Sequence, residues 1–233
     1  MRFQLFCRQV CVAMALTACT APIFAQTEVR YRSHVTVGGH AGMTMSQMSF
    51  SPTITQKWHQ GMQMGVSVRY QEEKIFGLIG ELNFVQRGWN EDFRNNPELS
   101  YKRTLNYITL PILTHICFGG KRFKGFVNLG PEFAYMLGDN ISANFDYNNP
   151  TEAGIPTNRQ TEQLWSDVTG HFDYGITAGL GAEFWVKPRH SITFEVRFYY
   201  GLGNIFPSAR ADTFSASRTM SLGATFGYNF RLK

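Results

Sequence analysis

From Met220 to Leu232 the chain alternates with strict period two, and no other feature narrows its fold so far. Met220, Leu222, Ala224, Phe226, Tyr228, Phe230 and Leu232 fall on one side of an extended strand. Ser221, Gly223, Thr225, Gly227, Asn229 and Arg231 fall on the other. A helix would scatter both sets around its axis. The pattern recurs in Ile192 to Tyr200, in Phe172 to Phe184 and in Met62 to Tyr70, with weaker versions over Val35 to Met43, Phe76 to Gln86, Leu105 to Ile116 and Phe123 to Leu137. That makes about eight strands, several near the ~10 residues that a tilted membrane strand needs. Pro111 and Pro131 fall inside two of them, and since proline cannot donate to a ladder, each predicts a bulge or a phase slip.

The connections have a rhythm of their own. Gln71 to Ile75, Phe118 to Arg122 and Lys187 to His190 are short; Thr44 to Gln60, Arg87 to Thr104, Gly138 to His171 and Asn204 to Arg218 are longer. Short turns alternating with long loops, and an even strand count that returns both termini to one side, describe a barrel threaded through a membrane. After the first residues no stretch offers the ~18 consecutive apolar residues of a helical span. A secreted sandwich or a lipocalin-like soluble barrel would turn the apolar face inward. Here the polar face is rich in glycine and the apolar face carries large aromatics, in a chain with 22 glycines and 15% aromatic residues. Small side chains suit a narrow lumen and large apolar ones suit lipid. The reading is therefore all-β: an antiparallel, up-and-down transmembrane β-barrel with short periplasmic turns, longer external loops and both termini periplasmic, integral to a cell outer membrane.

The first residues read as a leader. Arg2 and Arg8 are basic, Val10 to Ala18 is mostly apolar, and Ala25 precedes Gln26, which gives a signal peptide over 1–25 and a barrel domain over 26–233. Leu16-Thr17-Ala18-Cys19 also resembles a lipobox, whose processing would leave Cys19 as a lipidated first residue. Cleavage after Ala25 removes Cys7, Cys11 and Cys19 and leaves Cys117 alone, without an internal disulfide or a cysteine zinc site. The formal charge of +5 falls to 5 − 2 = +3 without Arg2 and Arg8. Those positives are scattered, so nucleic acid is not an expected partner.

By the strand phase, Arg69, Glu81, Glu132, Glu183, Glu195, Arg197 and Arg231 point inward. A mixture of both signs predicts a structural ion-pair network filling the lumen, because buried charge is costly unless paired. Trp58, Trp185, Tyr228 and Phe230 read as membrane-interface aromatics, while loop packing suits Trp89 and Trp165. The histidines, His34, His40, His59, His115, His171 and His190, are scattered, with His40 and His115 expected in the lumen. There is no HExxH, GxSxG, P-loop or GxGxxG after a strand. No enzyme, cofactor or metal is expected. The stretch NNPTEAGIPTNRQTEQ in the longest connection is polar and turn-rich, the kind of exposed loop that contacts lipopolysaccharide, a host surface or another envelope protein.

Four runs carry a family resemblance: GGHAGMTMSQMSF (Gly38 to Phe50), FGLIGELNFVQRGW (Phe76 to Trp89), LNYITLPILTHICFG (Leu105 to Gly119) and FVNLGPEFAYMLG (Phe126 to Gly138). Their order resembles the PorT-like family of Bacteroidetes outer-membrane barrels, over nearly all of the chain after the leader. The resemblance implies an outer-membrane protein of porin-like architecture. Some members of that family are required for type IX secretion of proteins with a C-terminal sorting domain. Partners would then be outer-membrane lipid and lipopolysaccharide, and other envelope or secretion proteins; the alternative is a stand-alone structural or binding barrel.

Overall fold

The computed structural model describes residues 33–93, 96–156, 160–207 and 213–232. The leader over 1–25 and the lipobox at Cys19 lie outside the described residues. The elements are β1 (His34–Ser51), β2 (Gln56–Lys57), β3 (His59–Gln71), β4 (Phe76–Glu91), β5 (Tyr101–Gly119), β6 (Phe123–Ala143), α1 (Glu162–Trp165), β7 (Phe172–Lys187), β8 (His190–Gly201) and β9 (Ala216–Arg231). Eight strands pair antiparallel with their neighbours in the order β1, β3, β4, β5, β6, β7, β8, β9, and β9 closes on β1 from Thr36↔Arg231 to Ser51↔Ala216. β2 is a two-residue addition to β4. Closure leaves the ring of eight strands without an edge, which is what a barrel needs where water cannot satisfy backbone groups. The start of β1 and the end of β9 lie at the end that carries the short turns.

The outer surface is apolar. Val66, Leu129, Ile176, Leu180 and Phe226 are all more than half exposed, far beyond the scattered apolar residues of a water-soluble surface. On β5 the band runs from Ile108 to Phe118, close to the ~9–11 residues of a membrane-crossing strand. Among the described residues no helix is long and apolar enough to cross a membrane; the crossing is made by strands.

Toward the long loops the strands outrun this band, and their pattern reverses. β1 continues past Met43 to Ser51, β4 past Gln86 to Glu91 and β6 past Leu137 to Ala143, while β5 begins at Tyr101. On these extensions Gln47, Gln86, Asn106 and Lys102 face outward, and Met48, Trp89, Tyr101 and Leu105 face inward. An exterior hydrogen bond from Gln86 Nε2 to Asn106 Oδ1 (3.0 Å) sits just beyond the apolar band. One strand is thus apolar-out in lipid and apolar-in above it. The expected connections Thr44 to Gln60, Arg87 to Thr104 and Gly138 to His171 are correspondingly shorter than the alternation suggests.

The prolines do not slip the phase. Leu105, Tyr107, Thr109, Pro111, Leu113 and His115 all face inward in unbroken alternation. The β4–β5 ladder passes from Gly80↔Ile112 to Asn83↔Thr109, and the β5–β6 ladder from Pro111↔Glu132 to Thr114↔Leu129, each in constant register. Each proline costs rungs, not register. The register shifts fall instead at Asn106/Tyr107 between β5 and β6, and at Trp185/Lys187 between β7 and β8. Cys117 is free and buried near the short-turn end, accepting a hydrogen bond from Gln71 Nε2 at 3.3 Å.

Candidate functional site: charged lumen and aromatic lid

The lower half of the lumen is a continuous polar network. Arg69 Nη2 lies 2.5 Å from Glu183 Oε1, and Ser191 Oγ donates to the same oxygen at 2.7 Å. Arg69 Nη1 sits 3.3 Å from His115 Nε2, while His115 Nδ1 is 2.7 Å from Asn128 Oδ1. The arginine can only donate and the amide oxygen only accept, so His115 is the neutral tautomer carrying its proton on Nδ1. Asn128 Nδ2 passes the chain to Glu195 Oε1 at 3.0 Å. Arg197 then holds two carboxylates, Glu195 through Nε and Nη2 (3.1 and 2.9 Å) and Glu81 through Nη1 and Nη2 (2.6 and 2.9 Å). Asn83 Nδ2 also donates to Glu81, at 2.9 Å.

His40 and His115 both face a cavity of about 40 Å³ within this network. A void of that size accommodates a few ordered waters and is no passage for solutes. Inward glycines make room for the network: a Cβ on Gly179 would lie 2.1 Å from Glu195 Oε1, and one on Gly65 1.9 Å from Asn83 Oδ1. This gives the glycine-rich polar face its physical reason.

A second tier lies above. Arg87 Nη2 is 2.5 Å from Glu132 Oε1, and Thr177 Oγ1 donates to Glu132 Oε2 at 2.6 Å. The Arg87 guanidinium lies 3.8 Å over the Tyr199 ring, and Tyr199 donates its hydroxyl proton to Asp173 Oδ2 at 3.0 Å. The expectation placed Arg87 in a loop. It belongs to β4, and the inward series Ile79, Glu81, Asn83, Val85, Arg87, Trp89, Glu91 carries the signal that finds it.

The upper half is filled differently. Met48, Phe50, Trp89, Tyr101, Leu105 and Tyr107 from the strands pack with Ile155, Leu164, Val168, Ile205, Phe206 and Phe214 from the long connections. Phe50, Trp89, Phe206 and Phe214 make stacked, tilted and edge contacts with centroids 5.2–6.1 Å apart. Beneath this lid Arg103 pairs with Asp139 (2.6 Å) and donates to the carbonyl of Ser166 at 2.7 Å. Gln163, fully buried, donates to Glu91 at 3.0 Å, and Tyr101 donates to the Leu164 carbonyl at 2.8 Å. The longest connection is therefore not simply an exposed polar loop: Ile155, Gln163, Leu164 and Val168 turn inward and close the barrel.

Of the seven residues read as inward charges, Arg69, Glu81, Glu132, Glu183, Glu195 and Arg197 lie in these two tiers. Arg231 does not. It ends β9 with its guanidinium 4.1 Å from the Trp185 ring. That contact also corrects Trp185, which is 8% exposed and faces the lumen at the short-turn end rather than the lipid interface. Two residues after inward Glu183, it has the same phase. Trp58 and Tyr228 are exposed, Tyr228 with its hydroxyl 2.5 Å from His190 Nδ1, and Phe230 packs on the His190 ring at 5.1 Å. Trp89 is wholly buried, and Trp165 is half exposed at the rim of the lid.

Comparison with known proteins adds to this geometry. No curated protein matches the chain in sequence. Among solved structures, the outer membrane protein OprG from Pseudomonas aeruginosa is 12% identical, with 85% of this chain and 95% of that one covered and a TM-score of 0.47. Neisserial surface protein A is 13% identical over 84% of this chain and 98% of that one, with a TM-score of 0.42. Ail of Yersinia pestis, solved with the heparin analogue sucrose octasulfate, is 12% identical over 84% and 99%, with a TM-score of 0.40. In sequence, residues 24–207 match the family model described as outer membrane protein beta-barrel domain. The chain belongs to that outer membrane β-barrel family.

Proposed function

We propose that this protein is a closed, non-enzymatic outer-membrane barrel of PorT-like type that works through contacts at its long-loop end, with both termini in the periplasm and the loops outside. The observation that carries the reading is the filling of the barrel along its length: ion pairs below, an aromatic lid above. A barrel closed at both levels has no evident use as a conduit. Its long connections, by contrast, are built into a shaped surface. In the lumen, His115 links Arg69 to Asn128 and His40 lies 3.9 Å from Glu81; neither sits in a nucleophile–base–acid arrangement of the kind hydrolysis requires.

The resemblance across four strands supports one setting for such a surface, a supporting role in type IX secretion; in that setting its partners would be outer-membrane lipid, lipopolysaccharide and other envelope proteins. Deleting the gene and assaying export of cargo with a C-terminal sorting domain tests that setting. The proposal expects export to fall, and unimpaired export would exclude an essential part in secretion. Site-directed cross-linking from Trp165 tests the wider reading, with a defined envelope partner as the expected product and no product as the result against it.

A further inference from the structure

We infer that a cluster of methionines on the outer wall of the barrel binds a soft monovalent metal ion, Cu(I) or its analogue Ag(I). Of the methionines among the described residues, Met48 and Met136 lie in the buried cluster. The others, Met43, Met45, Met62, Met64 and Met220, face outward, and all stand on β3, β1 and β9, three consecutive strands of the ring. On β4 to β8 the large apolar side chains of the outer wall are leucine, isoleucine, valine, phenylalanine and tyrosine instead. Lipid asks only for apolar bulk, which those residues supply. It gives no reason to gather every outward thioether on one sector of the wall.

The register brings four of them together. Met43 and Met62 are direct partners across β1 and β3, while Met45 is opposite Gln60 and Met64 opposite Ala41. Direct partners on one face have Cβ atoms ~4.5–5.5 Å apart and diagonal ones lie within ~7–8 Å. Met43, Met62 and either Met45 or Met64 therefore form a small triangle. Sulfur stands two bonds beyond Cβ, and with metal–sulfur bonds of about 2.3 Å each side chain meets an ion roughly 5 Å from its Cβ. Three thioethers of such a triangle converge on one ion. Met43 is 77% exposed, and the small Ala224 and Ala41 stand opposite Met43 and Met64, which leaves these flexible side chains room to turn.

The donor type decides the ion. Thioether sulfur is neutral and polarisable, and it selects Cu(I) over the harder ions that prefer carboxylate, carbonyl or imidazole. Among the described residues no group of three histidine, cysteine, aspartate or glutamate side chains could hold a metal, so Zn(II), Mg(II) and Ca(II) find no matching donor set among them. The position also suits an ion arriving from water. Gln60, opposite Met45, and Gln47, opposite Met220, begin the polar collar at the top of the apolar band. The inference is independent of the role proposed for the long-loop end, since it concerns the wall and not the loops.

The test uses full-length protein carrying C117S, with its other thiols alkylated so that cysteine sulfur takes no part, folded in non-ionic detergent. Methionine methyl groups are labelled with carbon-13 and followed by NMR as Ag(I) is added. The signals of Met43, Met62 and at least one of Met45 and Met64 should shift and saturate at a single ion per chain. Those of Met48 and Met136 should stay in place, and Zn(II) should move none of them. Under ascorbate, the protein should also withhold Cu(I) from the chelator bicinchoninate. The variant M43L/M45L/M62L/M64L keeps apolar bulk on the wall. It should retain the fast-migrating band on an unboiled gel and lose saturable binding of both ions. If that variant does not fold, the methyl shifts of the parent decide alone. Outward methionines that do not shift, equal shifts at Met48 and Met136, equal shifts with Zn(II), or unchanged binding in the leucine variant would overturn the inference.

Discussion

Replacing Arg197 by methionine should destabilise the folded barrel by about 3–5 kcal/mol, the usual cost of removing one partner from a buried ion pair. Arg197 is 7% exposed and holds both Glu81 and Glu195. Without it, Glu81 and Glu195 are left as two carboxylates without a counter-charge beside a cavity of about 40 Å³. Methionine keeps much of the length and none of the charge, so the effect reports electrostatics more than a void. The measurement is the urea midpoint for unfolding in detergent micelles, followed by loss of the fast-migrating band on an unboiled gel. The triple variant R197M/E81Q/E195Q should recover most of the loss, because the charges disappear together and the two amides retain hydrogen-bonding capacity. A single variant as stable as the parent would mean that the network does not hold the barrel.

Replacing Trp89 by alanine is the matching experiment on the upper half. Its side chain is fully buried, with Phe50 at 5.5 Å and Phe206 at 6.1 Å, and Arg103 lies 5.6 Å over its ring. Truncating a buried tryptophan costs about 3–5 kcal/mol. Here the loss falls on the contact between strand ends and loops, so its outcome differs in kind from that at Arg197. Limited proteolysis should cut within 144–171 and 202–215 far faster than in the parent, while the heat-modifiable band of the barrel persists. Loss of the band together with loop cleavage would show that lid and barrel unfold as one unit.

The contrast between the halves explains what the sequence revealed and what it concealed. Alternation from Met220 to Leu232 and from Phe172 to Phe184 reports a strand with lipid on one side and a packed lumen on the other, and there facing is legible residue by residue. Above the lipid band the outside becomes water and the inside becomes an aromatic core. The period of two survives while its polarity inverts, as in Gln86 outward and Trp89 inward on β4. Reading polarity alone ends the strands too early and assigns Arg87 to a loop. Following period alone keeps Arg87 and Trp89 on β4 and turns Trp185 inward behind Glu183. The prolines misled for a simpler reason: a missing donor removes a hydrogen bond, but side-chain packing on both faces keeps the register. The lid had the least local signal, since Ile155, Leu164 and Val168 are isolated apolar residues in polar sequence. Only the arriving strand ends give them a core to join.

Single-channel recording of the purified protein in planar bilayers tests most directly whether the barrel is closed. With the lumen occupied by the Arg69–Glu183, Arg197–Glu81 and Arg87–Glu132 pairs and capped by the aromatic cluster, reconstituted protein should show no stable, large conductance. A persistent porin-like current would contradict it.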